Sequence, residues 1–194
     1  MKRFWTYPVL ALLFILLSSC GPGSYLIKEE PKLKPSEGKA LVNFIRPRYL
    51  WGPGTTATIW DSDKLIIISE HGKHSFQYEC EPGKHLFISW SEYKSPVEAE
   101  LLPNRIYYIV LRRRMGFVRL RIHQVPVSKE HPLWEDALMW QDVLPNYTCD
   151  QETLAAVEAK SKKKILAYLE KYEHEIKGTK HVLYLRAEDG VPPQ

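Results

Sequence analysis

The sequence predicts a mainly β protein, an antiparallel β-sandwich followed by a C-terminal helical extension. Between residues 39 and 126, short runs of β-branched and aromatic residues recur about every 8–12 positions, with Gly, Pro, Asn and Asp between them, and this spacing is typical of a sandwich or barrel. From residue 127 to residue 194 the apolar residues recur at helical spacing instead. The chain has 194 residues, 44% of them hydrophobic, which is enough to bury a core.

Eight strands are predicted: Ala40–Arg46, Thr56–Trp60, Lys64–Ile68, His74–Cys80, His85–Ser91, Val97–Leu101, Ile106–Arg112 and Phe117–Val125. Glu81-Pro82-Gly83-Lys84 is a turn signal, because proline presets φ at the second position and glycine accepts a positive φ at the third. The run Ile106–Leu111 lacks polar alternation, so we expect a central strand that is covered on both faces. In the last strand Ile122 alternates with Arg121 and His123, which predicts one buried and one wet face.

Two helices are predicted in the extension. The shorter one follows Pro132 and ends before Pro145. The longer one runs from about Gln151 to Lys177, with Thr148 or Asp150 as its N-cap and Gly178 just beyond its end. Its apolar stripe is expected to consist of Leu154, Val157, Ile165, Tyr168 or Leu169, Tyr172 and Ile176.

The first twenty residues form a targeting segment. Lys2 and Arg3 precede an apolar run from Val9 to Leu17 that is too short to span a membrane as a helix. The next residues, Leu17-Ser18-Ser19-Cys20, resemble the lipobox of bacterial lipoprotein signal peptides. The resemblance implies that residues 1–19 are cleaved off, that Cys20 receives diacylglycerol on its sulfur, and that an acyl chain such as palmitate usually caps its new amino group. The alternative is an ordinary secretory signal with an incidental cysteine.

Acylation of Cys20 predicts where the protein resides. Two or three acyl chains give a stable anchor, so the expected partner is membrane lipid and the expected location is the bacterial cell envelope. Gly21 rather than aspartate follows the cysteine, which in enteric-type lipoproteins favours the outer membrane and the periplasm. Residues 20–38 contain three prolines and several charges, a composition that predicts a flexible tether. The net charge of +4 is too small to indicate nucleic acid binding.

Two further cysteines remain, Cys80 and Cys149. An exported protein sits in an oxidising compartment, where an even number of cysteines often pairs. A disulfide between them would stabilise the fold by roughly 4 kcal/mol in the chain-entropy model. The alternative is two unpaired buried thiols, and the sequence does not decide between the two.

Known catalytic motifs are absent from the sequence. It contains no G-x-S-x-G turn, no P-loop and no dinucleotide-binding glycine pattern, so we predict neither a catalytic residue nor a cofactor. His71 and His74, with Glu70 and Glu79 nearby, could hold zinc only if other segments supplied further ligands. We therefore predict no metal site and expect these histidines to be solvated loop residues.

Two clusters are candidate contact sites. The first consists of Arg112, Arg113 and Arg114 in a hairpin, together with Arg119 and Arg121. Guanidinium groups bind phosphate or carboxylate in a bidentate manner, so this cluster predicts an anionic ligand or an acidic partner. The alternative is a solubilising turn whose charges keep a sheet edge from pairing with other chains. The second cluster is Tyr49 and Trp51 in a Gly/Pro loop, where the aromatic rings either contact a glycan or protein or fold back onto the core.

Three stretches carry a family resemblance: Gly38–Pro47, Glu81–His85 and Asn104–Tyr108. They resemble an opening strand, a Pro-Gly-x-His hairpin turn and a Tyr-Tyr strand of small bacterial lipoprotein domains of uncharacterised function. The Pro-Gly-x-His element is also similar to the PEGA type of surface β-sandwich. The resemblance covers Lys39–Val125, implies a β-sandwich on an envelope lipoprotein, and brings no catalytic residues. If such domains require His85, its expected role is to hydrogen-bond the hairpin or strand ends.

These observations together predict a function without catalysis. We expect a membrane-anchored envelope lipoprotein that acts as a binding or scaffolding module for another envelope protein or polymer. One alternative is a structural lipoprotein that binds peptidoglycan or lipopolysaccharide. Another is an envelope hydrolase whose site the sequence does not reveal.

Overall fold

The structure, a computed structural model, describes residues 25–47, 55–70, 72–115 and 120–193. Within these ranges it contains eleven strands and two α-helices. The elements are β1 (Leu26–Glu29), β2 (Ala40–Arg46), β3 (Ala57–Asp61), β4 (Lys64–Ser69), β5 (His74–Cys80), β6 (Gly83–Trp90), β7 (Lys94–Leu101), β8 (Arg105–Met115), β9 (Leu120–Val127), α1 (Trp134–Val143), β10 (Asn146–Cys149), α2 (Gln151–Lys171) and β11 (Leu183–Leu185). The fold is mainly β with helices toward the C-terminus, which confirms the predicted class.

The strands form two mixed sheets. The six-stranded sheet has the order β1-β10-β5-β2-β8-β9, and the five-stranded sheet has the order β11-β7-β6-β3-β4. Three pairs are parallel, namely β2 with β8, β10 with β5, and β11 with β7. The prediction of a purely antiparallel sandwich is therefore wrong in this respect. Hairpins make only antiparallel neighbours, whereas β2 and β8 meet through a long crossover.

The described residues form four layers. The inner faces of the two sheets pack together in one hydrophobic core, which continues around the five-stranded sheet to α2. A second core lies between the outer face of the six-stranded sheet and α1. Strand β8 contributes to both cores, because Tyr107, Ile109 and Leu111 face inward while Tyr108 and Val110 face α1. The expectation of a central strand covered on both faces is thereby confirmed.

Two predicted boundaries need correction. Residues 20–38 are not a flexible tether throughout, because Leu26–Glu29 form strand β1 and pair with β10. The amide of Lys32 then donates to the side chain of Gln77, and that of Ser36 donates to Glu79. The C-terminal extension is also part of the sandwich, since β10 joins one sheet and β11 joins the other. These strands have three or four residues each, too few for a periodic signal in the sequence.

Helix α2 begins after Asp150, one of its two predicted N-cap residues. Asp150 is the N-cap, and its carboxylate accepts hydrogen bonds from the amide and the hydroxyl of Thr153 at 2.8 and 2.9 Å. The helix then passes into a π-helical turn at Tyr172–Ile176, and Gly178 follows with φ of +74°. Its buried side chains, Leu154, Ile165, Tyr168 and Tyr172, all belong to the predicted stripe.

Candidate functional site

The arginine cluster divides between the two faces of β8. Arg113 lies opposite Ile122 on the inner face, and its Nε is buried. Arg112 and Arg114 point to the outer face, where Arg114 stands directly opposite Arg121 of β9. We call the outer-facing group of Arg112, Arg114 and Arg121 the arginine face. Arg119 lies outside the described residues.

The arginine face is a concentration of positive charge. Among the residues that the structure describes, no carboxylate lies within ion-pair distance of its three guanidinium groups. Like charges that stand directly opposite in an antiparallel pair destabilise it. The described contact that Arg121 makes is with the Tyr93 ring, whose centroid lies 5.5 Å from the guanidinium carbon. The face is thus electrostatically suited to an anion.

Two amides of strand β9, at the edge beside the arginine face, are already hydrogen-bonded to side chains. The amides of Ile122 and Gln124 donate to the hydroxyls of Ser91 and Ser95, so they are not available to pair with a further strand. The buried side chain of Gln124 also donates to the carbonyls of Phe87 and Ser95. A further strand at this edge would lack these two amide donors, which favours contacts made by side chains.

His85 of the Pro-Gly-x-His element joins three parts of the fold. Its Nδ1 lies 2.8 Å from the carboxylate of Asp61, and its Nε2 lies 2.9 Å from the carbonyl oxygen of Glu81. The hydroxyl of Tyr78 donates to the same Asp61 oxygen, and the imidazole stacks on Phe87. A carbonyl and a carboxylate only accept, so both ring nitrogens can donate only when the ring is protonated, and the site favours the imidazolium. The hydrogen bond to Asp61 raises the pKa of His85 although burial opposes it.

The stability contribution of His85 is expected to depend on pH. A histidine whose pKa is raised by folding stabilises the folded state fully at pH values below its unfolded pKa of about 6.5. This stabilisation is lost as the pH rises through the folded-state pKa. We predict that His85→Gln lowers the free energy of unfolding by about 2 kcal/mol near pH 5.5, where the charged hydrogen bond is present. The loss should be smaller near pH 9, and urea unfolding at the two pH values measures it.

The matched control for this prediction is His181→Gln, which removes an exposed imidazole. It should change the free energy of unfolding by less than about 0.5 kcal/mol at either pH. If His85→Gln lowered the free energy of unfolding equally at both pH values, the charged hydrogen bonds of His85 would be rejected as the source of the stability. Packing of the ring on Phe87 would then account for it.

His74 is not a solvated loop residue, and the sequence-based expectation for it is wrong. Its ring is buried at the start of β5, with Nε2 3.0 Å from the hydroxyl of Ser69. Arg46 pairs with it across the strands and is buried as well, donating to Ser69 and to the carbonyl of Thr55. His71 lies outside the described residues. In the part of the chain that the structure covers, no three His, Cys, Asp or Glu side chains are arranged to hold a metal ion.

Cys80 and Cys149 are free and buried, which corresponds to the second of the two alternatives raised by the sequence. The thiol of Cys149 lies 3.3 Å from the amide nitrogen of Ile68, which donates to it. Burial raises the pKa of Cys80 to about 12 and raises that of Cys149. Thiolates are the reactive form of cysteine, so neither side chain is suited to nucleophilic chemistry at neutral pH.

Two surface depressions were not foreseen from the sequence. A groove of about 670 Å³ lies between α1 and the C-terminal tail, with Tyr108, Trp134 and Pro192 on its walls. A cleft of about 460 Å³ lies on the five-stranded sheet beside Tyr172, whose hydroxyl donates to Glu98 at 2.6 Å. Each is assembled from segments far apart in the chain, so no local motif could have indicated them.

Other predicted site residues fall outside the described part of the chain. These are Cys20, expected to be acylated, and the aromatic pair Tyr49 and Trp51. Among the helices that the structure describes, none is long and apolar enough to cross a membrane. The sequence matches no protein-family model and has no significant match among curated proteins.

Proposed function

We propose that this chain is a lipid-anchored module of the bacterial cell envelope that binds a negatively charged envelope component without catalysis. The observation that carries this proposal is the arginine face, in which Arg114 stands directly opposite Arg121 with Arg112 beside them. A partner that presents phosphate or carboxylate groups would replace the repulsion among these side chains with charge-assisted hydrogen bonds. The solubilising-turn alternative accounts less well for a like-charged pair placed in direct register.

The anchor would hold the domain close to the bilayer. Leu26 begins β1 only six residues after Cys20, and six residues span at most about 20 Å. The module would therefore act on components at or near the membrane surface, rather than at the end of a long tether.

A hydrolytic function is less well supported. Both nitrogens of His85 are occupied by acceptors, so this ring has no free lone pair with which to act as a general base. Ser69 and His74 are hydrogen-bonded to each other, but both side chains are buried, and a nucleophile must be reached by its substrate.

The test compares two triple charge reversals in the full-length protein expressed in intact cells. R112E/R114E/R121E changes the arginine face and leaves the inward-facing Arg113 intact. K160E/K163E/K164E is the matched control, because these exposed lysines lie on α2 and the change in charge is the same. After crosslinking and mass spectrometry, we expect one dominant partner that the arginine variant loses by about tenfold or more and the lysine variant retains.

A polymer rather than a protein partner is tested by co-sedimentation with isolated lipopolysaccharide or peptidoglycan. The expected result is binding that weakens at high salt, since screening shortens the range of exposed charges, and that the arginine variant loses selectively. If neither crosslinking nor co-sedimentation distinguishes the two triple variants, the arginine face is not the binding surface and the proposal is rejected.

A further inference from the structure

His123 completes a four-residue arrangement on the arginine face. The strand register places His123 directly opposite Arg112, next to the opposed pair Arg114 and Arg121. Residues opposite each other in a sheet lie about 5 Å apart, and alternate residues on one strand lie about 7 Å apart. The four side chains therefore occupy the corners of a small rectangle on one face of the sheet.

The surroundings of His123 disfavour the protonated form of its ring. It is half-buried, and burial followed by the charges of Arg114 and Arg121 lowers the pKa of His123 below its usual value. The turn between β6 and β7 places the ring of Tyr93 against it, with centroids 5.2 Å apart, and carries Glu92 next to Tyr93. The charged groups that face the imidazole from its own sheet are Arg112, Arg114 and Arg121, and all three are cationic.

We infer that an anionic polymer bound at the arginine face brings a proton onto His123, so that ligand binding and protonation of this side chain are coupled. The inference rests on the proposed function of the same face. A bound anion offsets the guanidinium charges that disfavour the imidazolium, and it provides an acceptor for a second ring N–H. Linkage then requires the reciprocal effect, in which a lower pH tightens binding of the anion.

The probe is dextran sulfate, whose sulfate esters stay ionised across the range in which histidine titrates. Its binding to the full-length protein in mild detergent is measured by calorimetry at fixed ionic strength, near pH 5.5 and near pH 8. We expect affinity about three- to tenfold higher at the lower pH. Near pH 6, titrations in two buffers of different ionisation enthalpy should show proton uptake on binding.

The deciding variant is His123→Gln, which keeps the three arginines. It should still bind dextran sulfate but lose the proton uptake and most of the pH dependence. The control His174→Gln removes an exposed histidine on the π-helical turn and should behave like the wild type.

The outcomes separate the inference from the proposal on which it rests. Binding without proton uptake in the wild type, or uptake that persists in His123→Gln, overturns the coupling and leaves the binding function standing. Absence of binding, or equal binding by R112E/R114E/R121E and the wild type, also overturns the coupling, and the crosslinking and co-sedimentation comparison then decides whether the arginine face binds a partner at all.

Discussion

Replacing Arg46 with alanine is expected to lower the free energy of unfolding by about 4 kcal/mol, because it removes the charged hydrogen bonds that two carbonyl oxygens and a hydroxyl accept. Arg46 is only 1% exposed, and its guanidinium donates to the carbonyl and the hydroxyl of Ser69 and to the carbonyl of Thr55. Ser69 belongs to β4 of the opposite sheet, so Arg46 connects the two sheets at one end of the sandwich. Urea unfolding of the full-length protein measures the loss.

The nature of the side chain at position 46 provides a sharper comparison. Arg46→Lys keeps the charge but replaces a planar fork with a single ammonium, which cannot reach the same acceptors in the same directions. We expect lysine to recover less than half of the stability that alanine loses. Arg112→Ala, the control at an exposed arginine, should change the free energy of unfolding by less than about 0.5 kcal/mol. Equal losses at the two arginines would show that the Arg46 hydrogen bonds contribute little.

The buried role of Arg46 was not predicted from the sequence, and the reason is topological. Strand alternation places Arg46 on the same face as Ala40, Val42 and Phe44, and an arginine at the end of an apolar strand usually reaches solvent. Its acceptors come from β4 and from Thr55, which are brought together only when the two sheets stack. Local patterning does not contain this information.

Strand positions were largely predictable, whereas strand partners were not. Each of the eight predicted strands overlaps one of β2–β9, with residues 117–119 of the last outside the described part of the chain, because β-branched residues and turn signals are local properties. The parallel pairing of β2 with β8 depends on the whole crossover between them. Likewise, β1, β10 and β11 become strands through tertiary pairing, which overrides the weak propensity of such short segments.

The arginine cluster shows how one strand boundary altered a functional prediction. The predicted strand ends at Arg112, which places Arg113 and Arg114 in a turn. In the structure, β8 continues to Met115. Once the strand is extended, the period of two separates Arg113 from its neighbours and aligns Arg112 and Arg114 on one face. The face therefore contains Arg112, Arg114 and Arg121 among the described residues, rather than all the arginines that the sequence grouped together.

Replacing Gly190 with alanine is expected to destabilise the protein by about 2 kcal/mol, through overpacking rather than through backbone strain. A Cβ at this position would lie 2.5 Å from Cζ and 2.7 Å from the hydroxyl oxygen of Tyr107. The ring cannot easily move, because Tyr107 is fully buried and its hydroxyl accepts from the amide of Leu102 and donates to the carbonyl of Ala187. The C-terminal tail must therefore shift away from β8.

The shift should be local as well as destabilising. Val191 and Ile106 exchange two backbone hydrogen bonds of 2.9 Å, and these hold the tail on the six-stranded sheet. We expect hydrogen exchange of both amides to accelerate in Gly190→Ala, while amides in the centre of β2 change only in proportion to the global loss. A double-mutant cycle with Tyr107→Leu isolates the cause, since removing the phenol should remove most of the penalty for the added methyl group. A penalty that is unchanged in the Tyr107→Leu background would show that the clash with the ring is not its origin.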